Sequence, residues 1–566
     1  MASIISKKVK DYKYYYYVES KRINGKPTLV NQKYLGTAEK LLEKVLLAEK
    51  PFNERVLYSD EAEFGSVMLL YDLAERLDIV NIIDRIIPKR KQGATVGSYI
   101  LTAAINRAAS PSTKNGLSEW YANTCLPVAT GYNPAMFTAQ NFWNNTCISS
   151  GELDRIEEII LREVVNRYQI DMTHIIYDAT NFFTYIDTKQ ESELARRGHC
   201  KHKRNDLRIV GLSLMVESEF AIPLLHETYP GNKGDAKEFY VMMEKLKKRY
   251  EAITGRKEDV TVVFDRGNNS GHNIDFLEAD DFKLHYVGGL KKNEAQEMYS
   301  IPLSEFTPLC SPALEGESAY RREIVAFGRK ATALIVHNPE LENGQMQGIQ
   351  YNMERTEGKL LELHQKLMKR VSGEVTKGKK PTVESVTKAV AKILAVEYMR
   401  DIFSYAVEER DKNIYLRYES SDERLESIRR NYLGKTVLFT DRKDFTNEQI
   451  VLAYRSAWRV ESAFKQMNNP KHLTVRPIFH WTDEKIRVHV FICVLAYRLC
   501  CLLIKELSEH DIHISINRLI EEMSRIKRIN TFFGDIKKPQ KVASFTLGSK
   551  LAGQIEQLYK LKERYC

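Results

Sequence analysis

At 566 residues the chain is too long for one hydrophobic core, and 43% hydrophobic against 28% charged residues excludes bulk disorder. The net charge of +10, from 85 Lys and Arg against 75 Asp and Glu, names no partner by itself, so only local clusters of cations are informative. Eight cysteines without a repeated spacing exclude a disulfide framework and point to a reducing cytosol.

The N-terminal stretch MASIISKKVKDYKYYYY carries no apolar signal core, so a cytoplasmic protein is expected. Residues 10 to 36 alternate around Asn24-Gly25, which predicts an N-terminal β-hairpin over 1–37. From 38 to 168 the apolar spacing turns helical, as in SVMLLYDLAERLDIVNIIDRII, and a DNA-binding helix-turn-helix is a candidate around Thr138 to Arg155.

At residue 174 the pattern changes. HIIYDATNFFTYI, LRIVGLSLMVES and FAIPLLHETYP read as three successive strands. A helix (AKEFYVMMEKLKKRYEAI), the strand VTVVFD, a short helix near Ile274 and the strand KLHYVGGL follow. That order predicts an α/β fold with a ribonuclease H-like mixed-sheet core, its first part over 169–299. Residues 300–433 interrupt the core with two strand pairs and a helical arm from about Gln345 to Val371, a β-rich insertion. The core resumes over 434–505 with the strand KTVLFTD and a helix from about Asn447 to Met467, and 506–566 reads as a helical C-terminal region. The most apolar stretch, Val488 to Ile504, carries Arg498 in its middle, which favours a core helix over a membrane segment.

Asp178 and Asp265 each follow a run of apolar and β-branched residues, so each is placed at the end of a buried strand. The usual role of such a residue is a turn or cap. The helix EQIVLAYRSAWRVESAFKQM puts Tyr454, Trp458, Glu461 and Lys465 on one stripe with Ile450, Ala457 and Phe464, predicted to face inward. A carboxylate there needs a metal ion or a cation, and Lys465, four residues on, is the alternative partner. Two strand aspartates and a helix glutamate are hard oxygen donors suited to two Mg²⁺ or Mn²⁺ ions and phosphoryl transfer.

Three segments, YDATNFF, VVFDRGNNS and YRSAWRVESAFKQM, give the chain its family likeness. It resembles the DDE transposases of bacterial insertion sequences, in the insertion-sequence-4 superfamily (insertion-sequence-1634 type) with a Tyr-Arg-Glu-Lys helix. The resemblance implies a ribonuclease H-like fold, two divalent metals and cut-and-paste DNA chemistry in a synaptic homodimer on double-stranded DNA. On it, Asp178, Asp265 and Glu461 take the catalytic and metal-binding positions, and Tyr454 that of the tyrosine seven before the glutamate. Lys201, Arg204, Arg266, Arg455, Arg459, Lys465 and Arg476 are the candidate DNA contacts beside Tyr454. Two positions depart from the pattern: Ala457 stands where an arginine is expected and Asn468 where a lysine is. Relatives hold a flipped base on a tryptophan of the insertion, whereas Trp120, Trp143, Trp458 and Trp481 all lie outside it here.

Other motifs are blander. His199-Cys200-Lys201-His202 lacks a second ligand pair and reads as a basic loop rather than a zinc site. Gly231, Gly234 and Gly267 build no P-loop, so ATP-driven chemistry is not supported. The alternatives to a transposase are a nuclease of the same fold that cuts without joining, and a non-catalytic DNA-binding derivative.

Overall fold

The computed structural model describes residues 2–9, 12–23, 26–49, 56–88, 93–187, 189–198, 204, 206–254, 259–279, 283–535 and 538–565. The chain forms two compact units: Met1–Leu69, Glu119–Pro134 and Arg518–Cys566 make one, and Leu70–Ser118 with Ala135–Asn517 the other.

The smaller unit holds more strand than the sequence suggested. The strand pair Tyr12–Ile23 and Lys26–Thr37 forms as expected, and its turn residues Asn24-Gly25 lie outside the described residues. A third strand, Ala2–Val9, pairs with Tyr12–Ile23, so the predicted hairpin is a three-stranded sheet. The region 506–566 is not all helical either. Lys527–Asp535 and Lys538–Phe545 form a hairpin, and Val56–Glu63, inside the stretch read as helical, joins it as a third strand.

The larger unit is organised by a mixed sheet. Its strands are β1 (His174–Thr184), β2 (Arg208–Glu217), β3 (Pro223–Pro230), β4 (Thr261–Phe264), β5 (His285–Gly289), β6 (Thr307–Pro308), β7 (Ser318–Ala326), β8 (Arg329–His337) and β9 (Lys435–Thr440). Among the described residues they lie in the order β6-β7-β8-β9-β5-β4-β1-β2-β3. β1, β2 and β3 are antiparallel neighbours, while β4 pairs parallel to β1 and β5 parallel to β4. The near-continuous apolar runs of β1, β2 and β4 suit strands buried on both faces.

One expectation changes here. The pair β7–β8 was assigned to the insertion, but β8 pairs with β9 from Thr332↔Thr440 to His337↔Lys435 and extends the core sheet. What remains of the insertion has its own apolar cluster, in which Leu360, Val390, Met399, Ile402 and Leu416 are buried together. These residues come from the arm helix α3 (Pro339–Val371), the helix Val383–Ile393, the turn at Met399–Ile402 and the hairpin of Phe403–Arg410 and Asn413–Ser420.

Helices cover both faces of the sheet. On one side α2 (Asp235–Thr254) sets Phe239 against Tyr177 of β1 and Phe264 of β4, with ring centroids 5.1 and 4.9 Å away. α4 (Asn447–Arg455) packs on β5, β8, β9 and β4, and α5 (Trp458–Gln466) on β1 and β2. α6 (Asp483–Ser508) is long and apolar enough to cross a membrane by composition, but 89% of its most apolar window is buried within this fold. It packs on the helix Val96–Ala109, on β3 and on α1 (Ser150–Tyr168). The helices Ala139–Asn145 and α1, which bracket the candidate helix-turn-helix, are separated by four residues, and α1 buries Ile156, Ile160, Leu161 and Val164.

Candidate active site

Asp178 does not end its strand. β1 runs on to Thr184 because β2 pairs with it along its whole length, whereas its parallel neighbour β4 stops at Phe264. Tyr177 pairs with Phe264, so Asp178 and Asp265 each follow one paired position, on backbones about 4.8 Å apart. Tyr177 and Phe264 both meet Phe239 of α2, and side chains alternate along strands. The two carboxylates therefore leave the sheet on the face opposite α2, the face that α4 covers.

Each aspartate also serves its own backbone. Asp178 Oδ1 accepts from the Ala179 N–H, and Asp265 Oδ1 from the Arg266 N–H, both at 2.8 Å. Asp265 thereby caps the short turn Arg266–Asn268, so the capping role and a role in a site are compatible. Asp178 is half-buried and Asp265 exposed.

Tyr454 of α4 reaches this pair, its hydroxyl donating to Asp265 Oδ1 at 3.4 Å. Burial, with Asp265 next to it, pushes the Tyr454 phenol up to about 12, and Glu461 acts in the same direction. The approach depends on Gly289 of β5. A Cβ there would stand 2.5 Å from the Tyr454 hydroxyl oxygen, so any side chain displaces the phenol.

The third carboxylate is arranged differently from the expectation. The predicted continuous helix is broken at Ser456 and Ala457, between α4 and α5. The Ser456 hydroxyl donates back to the Ala453 carbonyl at 2.6 Å, a side-chain bond that competes with helical pairing. The buried residues of α5 are Val460, Ala463 and Phe464, while Glu461, Lys465 and Trp458 are exposed. Of the stripe expected to face inward, Trp458, Glu461 and Lys465 thus face outward along α5, while Phe464 is buried as expected. The salt bridge from Glu461 to Lys465 does not form among the described residues.

Among the described residues, no group of three or more His, Cys, Asp or Glu stands close enough to hold a metal ion. Asp178 and Asp265 have the right donor chemistry at one level of adjacent strands; Glu461 does not complete a three-carboxylate shell with them here. Hard carboxylate oxygens suit Mg²⁺ or Mn²⁺.

The candidate DNA contacts fare unequally. Arg266 is exposed next to Asp265 and lines a cleft of about 530 Å³ with Tyr454, Gly289, Lys292, Tyr398 and Tyr432. In it, Lys292 Nζ lies 4.6 and 5.3 Å from the ring centroids of Tyr398 and Tyr432. Arg455 is held in an ion pair by the buried Glu317, and Arg459 donates to the Glu219 carbonyl beside Trp458. Arg204 pairs with Asp206 at 2.7 Å, and Lys201 lies outside the described residues. Arg476 is held by Asn468, whose Oδ1 accepts from Nε at 2.8 Å and from Nη2 at 2.5 Å. The roles of Asn468, Gly289 and Lys292 carried no motif, because each acts through a partner distant in sequence or on a separate element.

A mixed sheet thus presents two aspartates beside a cleft lined by Arg266 and Lys292. Residues 169–499, more than half of the 566-residue chain, match the family described as Transposase DDE domain. The chain belongs to the DDE transposase family, whose members generally use divalent metal ions. A solved structure of piggyBac transposase in a synaptic complex with hairpin DNA is a distant likeness, at 9% identity and a TM-score of 0.39 over 83% of this chain and 82% of that chain. No curated protein sequence matches the chain.

Proposed function

We propose that this DDE transposase binds the terminal inverted repeats of an insertion sequence, cleaves the DNA ends and joins them to target DNA, acting as a cytoplasmic homodimer on a ribonuclease H-like core. The observation that carries the reading is the pair Asp178 and Asp265, level on adjacent parallel strands, in a chain of this family. Asp178 and Asp265 would hold two Mg²⁺ or Mn²⁺ ions, with Glu461 as the third carboxylate. Such ions, when bound, activate an attacking oxygen and stabilise the leaving one.

The chain's own residues supply positioning. Tyr454 restrains the Asp265 carboxylate at Oδ1, the same oxygen that accepts from the Arg266 amide. Arg266, in the adjoining cleft, places positive charge where a phosphate-bearing strand approaches the aspartates, while Lys292 there is paired with Glu397 at 3.5 Å. Arg476 extends that charge towards the far end of β1, where its guanidinium lies 5.5 Å from the Phe183 ring centroid.

The test is a cleavage and strand-transfer assay with duplexes bearing the element's ends, Mg²⁺ and a target plasmid. Cleaved ends joined to target are expected, and Asp265→Asn should lower cleavage at least a hundredfold with unfolding unchanged. Cleavage without joining would favour the nuclease reading, and an undiminished Asp265→Asn rate would remove Asp265 from the site.

A further inference from the structure

A second cavity, of about 960 Å³, opens in the larger unit where the segment after α5 meets the helices Val96–Ala109 and Ala139–Asn145 and the start of α6. Its walls combine cations with aromatic rings, and none of the described lining side chains is acidic. Arg107, Lys114 and Arg476 contribute charge without a carboxylate partner among the described residues: Arg107 donates to the carbonyls of Thr474 and Ser112, Lys114 sits over the Phe142 ring at 4.3 Å, and Arg476 binds Asn468. Lys485 adds a fourth cation, whose Nζ bonds the Trp143 carbonyl at 2.7 Å and meets Glu484, outside the lining, at 3.3 Å.

The aromatic part is open to solvent. Trp481 and Phe479 are 57% and 59% exposed, an unusual position for such large apolar surfaces unless something covers them. Trp143 meets Trp481 edge to face at 5.5 Å and carries Lys485 Nζ 5.1 Å from its ring centroid, so the ring surface open to a planar partner is that of Trp481 and Phe479.

Several polar atoms in the same walls await a partner. Arg107 Nε, His480 Nδ1 and His489 Nδ1 are buried and have no hydrogen bond among the described residues, although Arg107 and His489 are 7% and 0% exposed. A buried polar atom left unpaired costs roughly 1–3 kcal/mol, so these three atoms point to a polar occupant. Burial and the neighbouring Arg107 charge push the Lys114 amine down to about 7, a cost that an anion in the cavity relieves.

We propose that this cavity receives an unpaired nucleotide of a DNA strand, its base against the Trp481 and Phe479 rings and its phosphate towards Lys114 and Arg107. Ring faces combined with unneutralised cations are the chemistry that holds single-stranded nucleotides. A purely apolar ligand leaves the cations unmatched, and an inorganic anion leaves Trp481 and Phe479 uncovered. The cavity shares Arg476 with the end of β1, five residues and on the order of 17 Å along that strand from Asp178. The site is therefore separate from the aspartates, on the path of the same strand. The inference rests on the proposed action on DNA.

The experiment measures binding of the full chain to a blunt duplex, to the same duplex with three unpaired nucleotides at one 3′ end, to adenosine monophosphate and to inorganic phosphate. Tryptophan quenching and anisotropy are the readouts. The overhang is expected to bind about tenfold tighter than the blunt duplex. Trp481→Ala and Lys114→Gln should each erase that gain while blunt-duplex affinity stays within twofold, and Trp481→Phe should keep most of it. An overhang that gains nothing while the blunt duplex binds overturns the pocket alone. Equal weakening of both duplexes by Trp481→Ala assigns the cavity to a general DNA groove and overturns the proposal. Mononucleotide or phosphate binding as tight as the overhang makes the source a free anion, which also overturns it. Failure of every DNA to bind removes the DNA reading beneath it.

Discussion

Glu157 ties four elements of the larger unit together through one buried carboxylate. Its carboxylate, buried in α1, bonds Arg249 of α2 at 2.6 Å, pairs with His226 of β3 and lies 3.6 Å from Arg498 of α6. Arg498 is 1% exposed, and its remaining bonds go to the carbonyls of Pro223 and Leu224, so Glu157 is the carboxylate that faces it. Arg249 keeps Asp154 at 3.1 Å when Glu157 is lost, so the cost of Glu157→Gln falls mainly on Arg498. Leaving a buried charge without its counterion costs ~3–5 kcal/mol. With a urea m-value of ~2–3 kcal/mol/M, the midpoint should drop by ~1–2 M. Tryptophan fluorescence suits the measurement, because Trp143, Trp458 and Trp481 belong to this unit and only Trp120 to the other. Glu157→Gln with Arg498→Met together should recover part of the loss, since the orphaned charge is gone. Against the opposing effect of burial, the contacts with His226, Arg249 and Arg498 hold the Glu157 carboxyl well below the usual carboxylate range. Its contribution is then fully present above the unfolded value of about 4.3 and is lost as pH falls below it. The wild type should therefore lose stability over that acidic range more steeply than Glu157→Gln. A midpoint shift under ~0.3 M at pH 7 with an unchanged slope would refute the reasoning.

Tyr454→Phe keeps the ring but removes the hydroxyl on Asp265, and cleavage is expected to fall by roughly threefold to tenfold in single-turnover assays with the urea midpoint unchanged. Gly289→Ala drives a methyl into the Tyr454 phenol, so it should lose more activity than Tyr454→Phe and also lower the unfolding midpoint; parity with the wild type in both would show that Tyr454 has room to move. Asn468→Ala frees the Arg476 guanidinium, and DNA affinity is expected to fall a few-fold by anisotropy, without a change in the salt slope because no charge is removed.

The parts of the fold legible in the sequence were those that carry their environment in their own residues. IVGLSLMV and VTVVF are apolar on consecutive positions because both faces are covered, and they became β2 and β4 at the centre of the sheet. The strand YRREIVAFG with KATALIVHN was equally visible, but its assignment to an insertion failed because the pairing of β8 with β9 joins segments about a hundred residues apart. No local signal fixes such a partner. The hairpin of Lys527–Asp535 and Lys538–Phe545 did carry a signal, the β-branched and aromatic residues of INTFF, which the surrounding helical pattern obscured. At the site, strand order made a meeting of Asp178 and Asp265 plausible, but the run of β1 past Asp178 to Thr184 was not foreseen. The outward turn of Glu461 carried no signal either, because the break at Ser456 has neither glycine nor proline to announce it.

That break also bears on the two positions where the helix departs from the family's pattern. Ala457 sits in the interruption itself, where the backbone keeps helical dihedrals, and its methyl supplies no charge. The arginines on either side are engaged elsewhere, Arg455 by Glu317 and Arg459 by the Glu219 carbonyl. Asn468 is neutral, but it follows the end of α5 with its amide donating to the Phe464 carbonyl at 2.8 Å and its oxygen accepting from Arg476. The asparagine is thereby fixed as a bracket for a cation eight residues further on. Positive charge is available at this end of α5 even though residue 468 has none, and it lies over Phe183 on the strand that carries Asp178. A lysine at 468 would repel that guanidinium, so the neutral residue and the nearby arginine are best understood as one arrangement, in which a backbone-anchored amide sets the direction of the charge.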